Sequence, residues 1–226
     1  MSFLYEDRLS DSPFVQTIWH TWTEHDGCYL ASADGGWDIL IRRRDATATV
    51  QLCGPTTKAT PIYYTEGAEY IGIQFKLGTF MPHLPTNHLL NAGTMLHEGK
   101  STSFWLGDSR WQFPDYENVD TFVDRLVRAG LVVRDPVVDA VLQGHLVEDM
   151  SPRSVQRHFL RTIGLPQRYL RYIERAQQAE LLLKQGTSIQ DTVFQAGYVD
   201  QAHLTKSLKH LIGQTPAQVA GMRKSE

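Results

Sequence analysis

No run of apolar residues in this chain approaches the roughly 20 that a helix needs to cross a bilayer. The opening residues, MSFLYEDRLSDSP, are acidic and lack the apolar stretch of a secretory signal. Neither a spanning helix nor a leader is expected, and no membrane partner. Cysteine is scarce, with only Cys28 and Cys53 among 226 residues. Two thiols give no disulfide framework and no Cys-based zinc site; they fit a reducing cytoplasm, the expected location. A glycine-rich nucleotide loop, HExxH and GxSxG are all missing, and His and acidic residues are scattered. The chain is therefore not expected to be an enzyme or to need a cofactor. His83, His88 and His97 lie in a Pro/Asn/Gly-rich stretch with no carboxylate at ligand spacing, so no metal site is expected.

Apolar residues make up 42% of the chain and charged residues 21%, a balance that predicts packed cores rather than disorder. The length suits two domains. The net charge of −3 conceals an asymmetry. Residues 151–226 carry 11 Lys and Arg against 5 Asp and Glu, whereas residues 1–150 carry 11 against 20. One basic end on an otherwise acidic chain suggests that only this end meets a polyanion, although a solvated helical surface can also be basic.

Up to about residue 113 the pattern is that of strands. Residues 38–42 and 47–53 are short and rich in β-branched side chains, and in residues 70–76 Ile71, Ile73 and Phe75 share one face. Turn signals at Asp34-Gly35-Gly36, Gly54-Pro55 and Glu66-Gly67 separate the runs. Such spacing predicts a small barrel or sandwich. After Pro114 the period changes. Phe122, Val123, Leu126 and Val127 stand at helical spacing, and Asp135-Pro136 is a cap followed by proline at the first helical position. From Ser151 everything reads as helix: residues 151–163, closed by Gly164; about 166–185, closed by Gly186; 188–196; and 200–212, closed by Gly213.

Residues 188–213 are helix, glycine turn, helix, the layout of a helix-turn-helix. The start of the second helix would face base edges in a major groove. It offers Gln201, Ala202, His203, Thr205 and Lys206, with Lys209 further along. Gln suits adenine, Lys suits guanine, and Thr or the Ala methyl suits the thymine methyl. The helix from Ser151 presents Arg153, Ser154, Gln156, Arg157 and Arg161 outside its apolar stripe of Val155, Phe159 and Ile163. Arg153, Gln156, Arg157, Gln201, His203 and Lys206 are the expected base or groove contacts, and Thr205 and Lys209 the expected phosphate contacts. The helix between the two units has about 20 residues, roughly 30 Å at ~1.5 Å per residue. That is close to the ~34 Å of one turn of B-DNA, so one chain could read two successive grooves.

The stretches MSPRSVQRHFLRTIGLPQRYLRYIERAQQAELLL and AGYVDQAHLTKSLKHLIGQTPAQ resemble the AraC/XylS-type DNA-binding domain. The resemblance implies a transcriptional regulator with two helix-turn-helix units. Leu208 stands where these regulators usually have Phe, and Leu146-Val147-Glu148-Asp149-Met150 replaces a fuller helix before Ser151. Less specifically, Asp34-Gly35-Gly36-Trp37-Asp38-Ile39, Gly54-Pro55-Thr56-Thr57 and Gly72-Ile73-Gln74-Phe75-Lys76-Leu77-Gly78 resemble the cupin-like sensor domains of some such regulators. This implies a small β-barrel and ligand sensing without naming a ligand.

The expected organisation is α+β and multidomain. It comprises a cupin-like β-barrel sensor over residues 1–118, a helical connector over 119–145 and an all-α double helix-turn-helix domain over 146–226. Double-stranded DNA is the expected partner. Trp37, Tyr63, Phe75, Trp105 and Trp111 are the expected lining for a small apolar effector, against the alternative of an ordinary aromatic core. A homodimer, and RNA polymerase for an activator, are further partners this reading carries. The competing readings are a cupin-like enzyme and an adaptor whose helical domain binds a partner.

Overall fold

The computed structural model describes residues 3–84, 86–97, 102–147 and 149–221. The strands of its first half are β1 (Phe3–Arg8), β2 (Val15–Thr23), β3 (Gly27–Ala31), β4 (Asp38–Arg44), β5 (Thr47–Cys53), β6 (Thr60–Tyr64), β7 (Glu69–Phe75), β8 (Thr79–Phe80), β9 (Gly93–Met95), β10 (Ser103–Leu106) and β11 (Ser109–Gln112). Helix α1 (Val119–Arg128), the short strand β12 (Val133–Arg134) and helix α2 (Pro136–Leu142) follow. The chain then continues through α3 (Pro152–Thr162), α4 (Gln167–Lys184), α5 (Ile189–Gln195), α6 (Gln201–Leu211) and α7 (Pro216–Gly221).

Two compact units result, and neither is continuous in sequence. The first contains Met1–Gly27, Gly36–Pro55 and Tyr63–Pro166; the second contains Cys28–Gly35, Thr56–Ile62 and Gln167–Glu226. In the first, an antiparallel sheet runs β1-β2-β7-β4-β5-β9. Its register follows from alternation: Ile39 faces Leu52 and Ile73, and Ile41 faces Val50 and Ile71. A side-chain period of two therefore gathers these residues on one face. That face buries them with Phe75, Phe104 and Trp111, and α1 adds Val119, Phe122, Val123 and Leu126 to the same core.

The strand-rich first half and helical second half agree with the expected α+β class. Among the described residues, however, the main sheet is open, with β1 and β9 as its edges rather than a closed barrel ladder. β3 and β6 pair with each other in a separate sheet, and most of both belongs to the second unit.

Candidate nucleic-acid interface

Helix α3 begins where Ser151, in extended conformation, accepts a hydrogen bond from the Ser154 amide, with Pro152 in the first helical turn. Its inward stripe buries Phe159 and, just past the helix, Ile163. Arg153, Gln156, Arg157 and Arg161 are exposed and Ser154 is half-buried. Two fastenings hold this helix within the strand-rich unit. The Thr86 hydroxyl donates to the Thr162 carbonyl at 2.9 Å in a buried site. The Asp135 carboxylate, itself fully buried, accepts from His158 Nδ1 at 2.7 Å and from Arg161 Nη2 at 3.0 Å. The same side chain caps α2 through the amides of Val137 and Val138. Burial pushes this carboxyl upward, but the His158 bond, the Val138 amide and Arg161 outweigh it and hold the group below its ordinary range. Between α2 and α3 no helix occurs among the described residues. Glu148, part of the run in place of a fuller helix, lies outside them.

Helix α6 is capped by Asp200, whose Oδ1 accepts from the His203 amide at 2.7 Å. Leu204, Ser207, Leu208 and Leu211 face inward. Gln201, Ala202, Lys206 and Lys209 are exposed, and His203 and Thr205 are half-buried. The Thr205 hydroxyl donates to the Gln201 carbonyl at 2.8 Å. The supporting helix α5 starts at Ser188, which accepts from the Asp191 amide at 3.0 Å and donates to the Asp191 carboxylate at 2.6 Å. Between α5 and α6, Gly197 adopts φ +69°, the left-handed conformation that glycine reaches without steric cost. Beside it Tyr198 turns inward, its hydroxyl 2.9 Å from Ser207 Oγ and its ring under the Arg175 guanidinium of α4 at 4.9 Å. Burial raises the Tyr198 phenol above its ordinary range, partly offset by Ser207 and Arg175.

A family model described as a helix-turn-helix domain matches residues 147–222, the segment that contains both exposed sets. Over that segment, about a third of its length, the chain is similar to helix-turn-helix domains. No curated protein matched it. Among solved structures, ToxT from Vibrio cholerae O395 aligns over 100% of this chain and 99% of its own, with 8% identity and a TM-score of 0.43. A second crystal form of ToxT from Vibrio cholerae gives 98% and 99%, with 9% identity and 0.42. ToxT from Vibrio cholerae O395 bound to (E)-4-(8-methylnaphthalen-1-yl)but-3-enoic acid gives 99% and 100%, with 8% identity and 0.43. At that identity and score, no ligand or mechanism transfers to this chain.

Of the aromatic residues expected to line an effector site, Trp37, Phe75 and Trp111 share one buried cluster, while Tyr63 and Trp105 are exposed. Trp37 and Phe75 stack at 4.0 Å with planes 9° apart, and Trp37 Nε1 donates to the Thr79 carbonyl. Trp111 is buried edge-on to Phe122 at 6.0 Å. Tyr63 and Trp105, by contrast, are 77% and 46% exposed. Among the described residues, no group of three or more His, Cys, Asp or Glu could hold a metal ion, and no helix is long and apolar enough to cross a membrane.

Residues the pattern did not single out also shape the surroundings of α6. The Ala33 amide donates to the Leu211 carbonyl at 2.6 Å and the Ala59 amide to the His210 carbonyl at 2.9 Å, closing the C-terminal end of α6. Tyr169 donates to the Thr57 carbonyl at 2.7 Å and Gln177 to the Ala33 carbonyl at 3.3 Å. These are main-chain partners, and no side-chain type at positions 33, 57 or 59 announces them. Asp135 was legible as a cap, but its grip on His158 and Arg161 was not.

Proposed function

We propose that the chain is an AraC-type transcription regulator that reads a specific DNA site by presenting the N-terminal ends of α3 and α6 to major grooves. The observation that carries this is the outward set on α6, with Gln201, Ala202 and Lys206 exposed over a fully buried Leu204, Leu208 and Leu211. A helix whose inner face is fixed by packing presents its polar face without having to order it on binding. Arg153, Gln156, Arg157, Gln201, His203 and Lys206 are the base or groove contacts in this reading, Ala202 touches a thymine methyl, and Thr205, Lys209 and Ser154 serve the phosphates. Arg161 keeps an exposed side chain while one of its nitrogens is engaged by Asp135, so its role is divided between positioning α3 and meeting a phosphate. The 18 residues of α4 span about 27 Å at ~1.5 Å per residue, which supports one chain reading two motifs about 10 base pairs apart.

In the same reading the chain is cytoplasmic and not an enzyme, and its strand-rich unit is the sensor. The small apolar effector narrows to the neighbourhood of Trp37, Phe75 and Trp111, which share one buried cluster. A homodimer and RNA polymerase remain its further partners. The deciding experiment is selection of bound duplexes from a random pool, followed by two variants. Arg157→Ala should cost about 1–3 kcal/mol on the selected site and relax one base position. Lys209→Ala should weaken all duplexes alike and reduce the slope of log affinity against log salt. Uniform loss in both variants would remove Arg157 from base reading; salt-independent binding would count against the whole interface.

A further inference from the structure

We propose that Val199 reads the C5-methyl of a thymine, a specificity contact additional to those above and resting on the same DNA reading. Val199 stands one residue before the Asp200 cap of α6, and it is 84% exposed. An apolar residue at this place ordinarily packs on the fourth residue of the helix as a staple. That residue is Leu204, which is completely buried while Val199 stays open, so the usual reason for an apolar side chain here does not apply.

The backbone on both sides of Val199 is fixed. Tyr198 is anchored inward through Ser207, and Asp200 holds the His203 amide. Val199 is therefore presented at the end of α6, and its β-branched side chain has little rotamer freedom to lose. The first residues of a reading helix face base edges. Valine has no polar group for a phosphate, and thymine alone carries a methyl group in the major groove. Ala202, exposed at the same end, extends the apolar surface. Phe194 is as exposed, at 86%, but it lies on α5, the supporting helix, and has no base edge to meet.

The test uses the full chain and its selected duplex, with each thymine replaced singly by deoxyuridine, which lacks only the methyl. The wild-type chain should lose about fourfold in affinity at one thymine, the factor implied by burying one methyl-sized group. In Val199→Ala that penalty should vanish, while penalties at other thymines and the melting temperature stay unchanged. Phe194→Ala should keep the whole pattern. An undiminished penalty at every thymine in Val199→Ala would overturn the assignment, as would a wild-type chain with no uridine penalty that this variant removes. A wild-type chain that prefers no duplex at all would overturn the DNA reading itself, and the role of Val199 with it.

Discussion

Asp135 puts one carboxylate to three uses: it caps α2, accepts from His158 and accepts from Arg161. Each use requires the ionised form. Because its folded value lies below the ordinary 3.8, this group contributes stability that is fully present above that value. The contribution is lost as pH falls through the lowered folded value. Asp120, held down by Ser10 and Arg8, acts in the same direction. The denaturant midpoint should thus stay level as pH falls towards about 5 and decline below about 4. Asp135→Asn should start lower and decline less, since only Asp120 of the pair remains to be protonated. A parallel decline in wild type and Asp135→Asn would show that the carboxylate contributes nothing to acid sensitivity. At neutral pH the variant should also loosen α3, because a neutral amide holds His158 and Arg161 less strongly than a carboxylate does.

At the scale of the element, α6 depends on its two ends. At the first, Asp200→Ala should remove the acceptor for the His203 amide and cost about 1 kcal/mol, whereas Asp200→Asn should restore most of it. Denaturant unfolding would measure both, and an alanine variant as stable as wild type would show that the cap is idle. The N-terminal turn carries Gln201 and His203, so fraying there should weaken the selected duplex as well. Such ends were legible in the sequence because they are local: Asp135-Pro136, Ser151-Pro152, Ser188 and Asp200 all begin helices, and Gly164, Gly186 and Gly213 follow their ends with positive φ. The outward position of Arg153, Gln156, Arg157, Gln201 and Lys206 was legible for the same reason, since apolar periodicity fixes which face is left over. Other elements gave no such signal. In β2, buried Val15, Ile18, Thr21 and Thr23 depart from a period of two, and the register shifts between Val15 and Thr17. The turn joining β4 to β5 uses Asp45 at φ +54° beside Ala46, without glycine or proline. Helix α7 has six residues, too few for a periodicity to show.

At the scale of the whole molecule, the consequential feature is that α6 sits in a unit assembled from three stretches of chain. The last carbonyls of a helix have no partners within it. In α6 those of His210 and Leu211 are satisfied by the amides of Ala59 and Ala33, from the first third of the sequence. Just beyond, Gly213 at φ +82° lies where a side chain would collide with Leu30 and crowd Ala59. The reading helix is thus closed by the half of the chain read as the sensor, and a C-terminal piece should not reproduce it fully. A fragment of residues 131–226 lacks both donors and Leu30. Each net hydrogen bond contributes about 0.5–1.5 kcal/mol, and losing two implies about tenfold faster opening or more. Hydrogen exchange should therefore show the amides of Ile212 and Gly213, which bond to Leu208, less protected in the fragment than in the full chain. In the full chain, Ala33→Pro removes one donor and should produce part of the same effect, while Ala33→Gly keeps the donor and should produce little. Equal protection in the fragment, the full chain and Ala33→Pro would mean that α6 is closed by its own domain alone. Faster exchange in the fragment and in Ala33→Pro, but not in Ala33→Gly, would make the order of the DNA-reading helix depend on the first 62 residues.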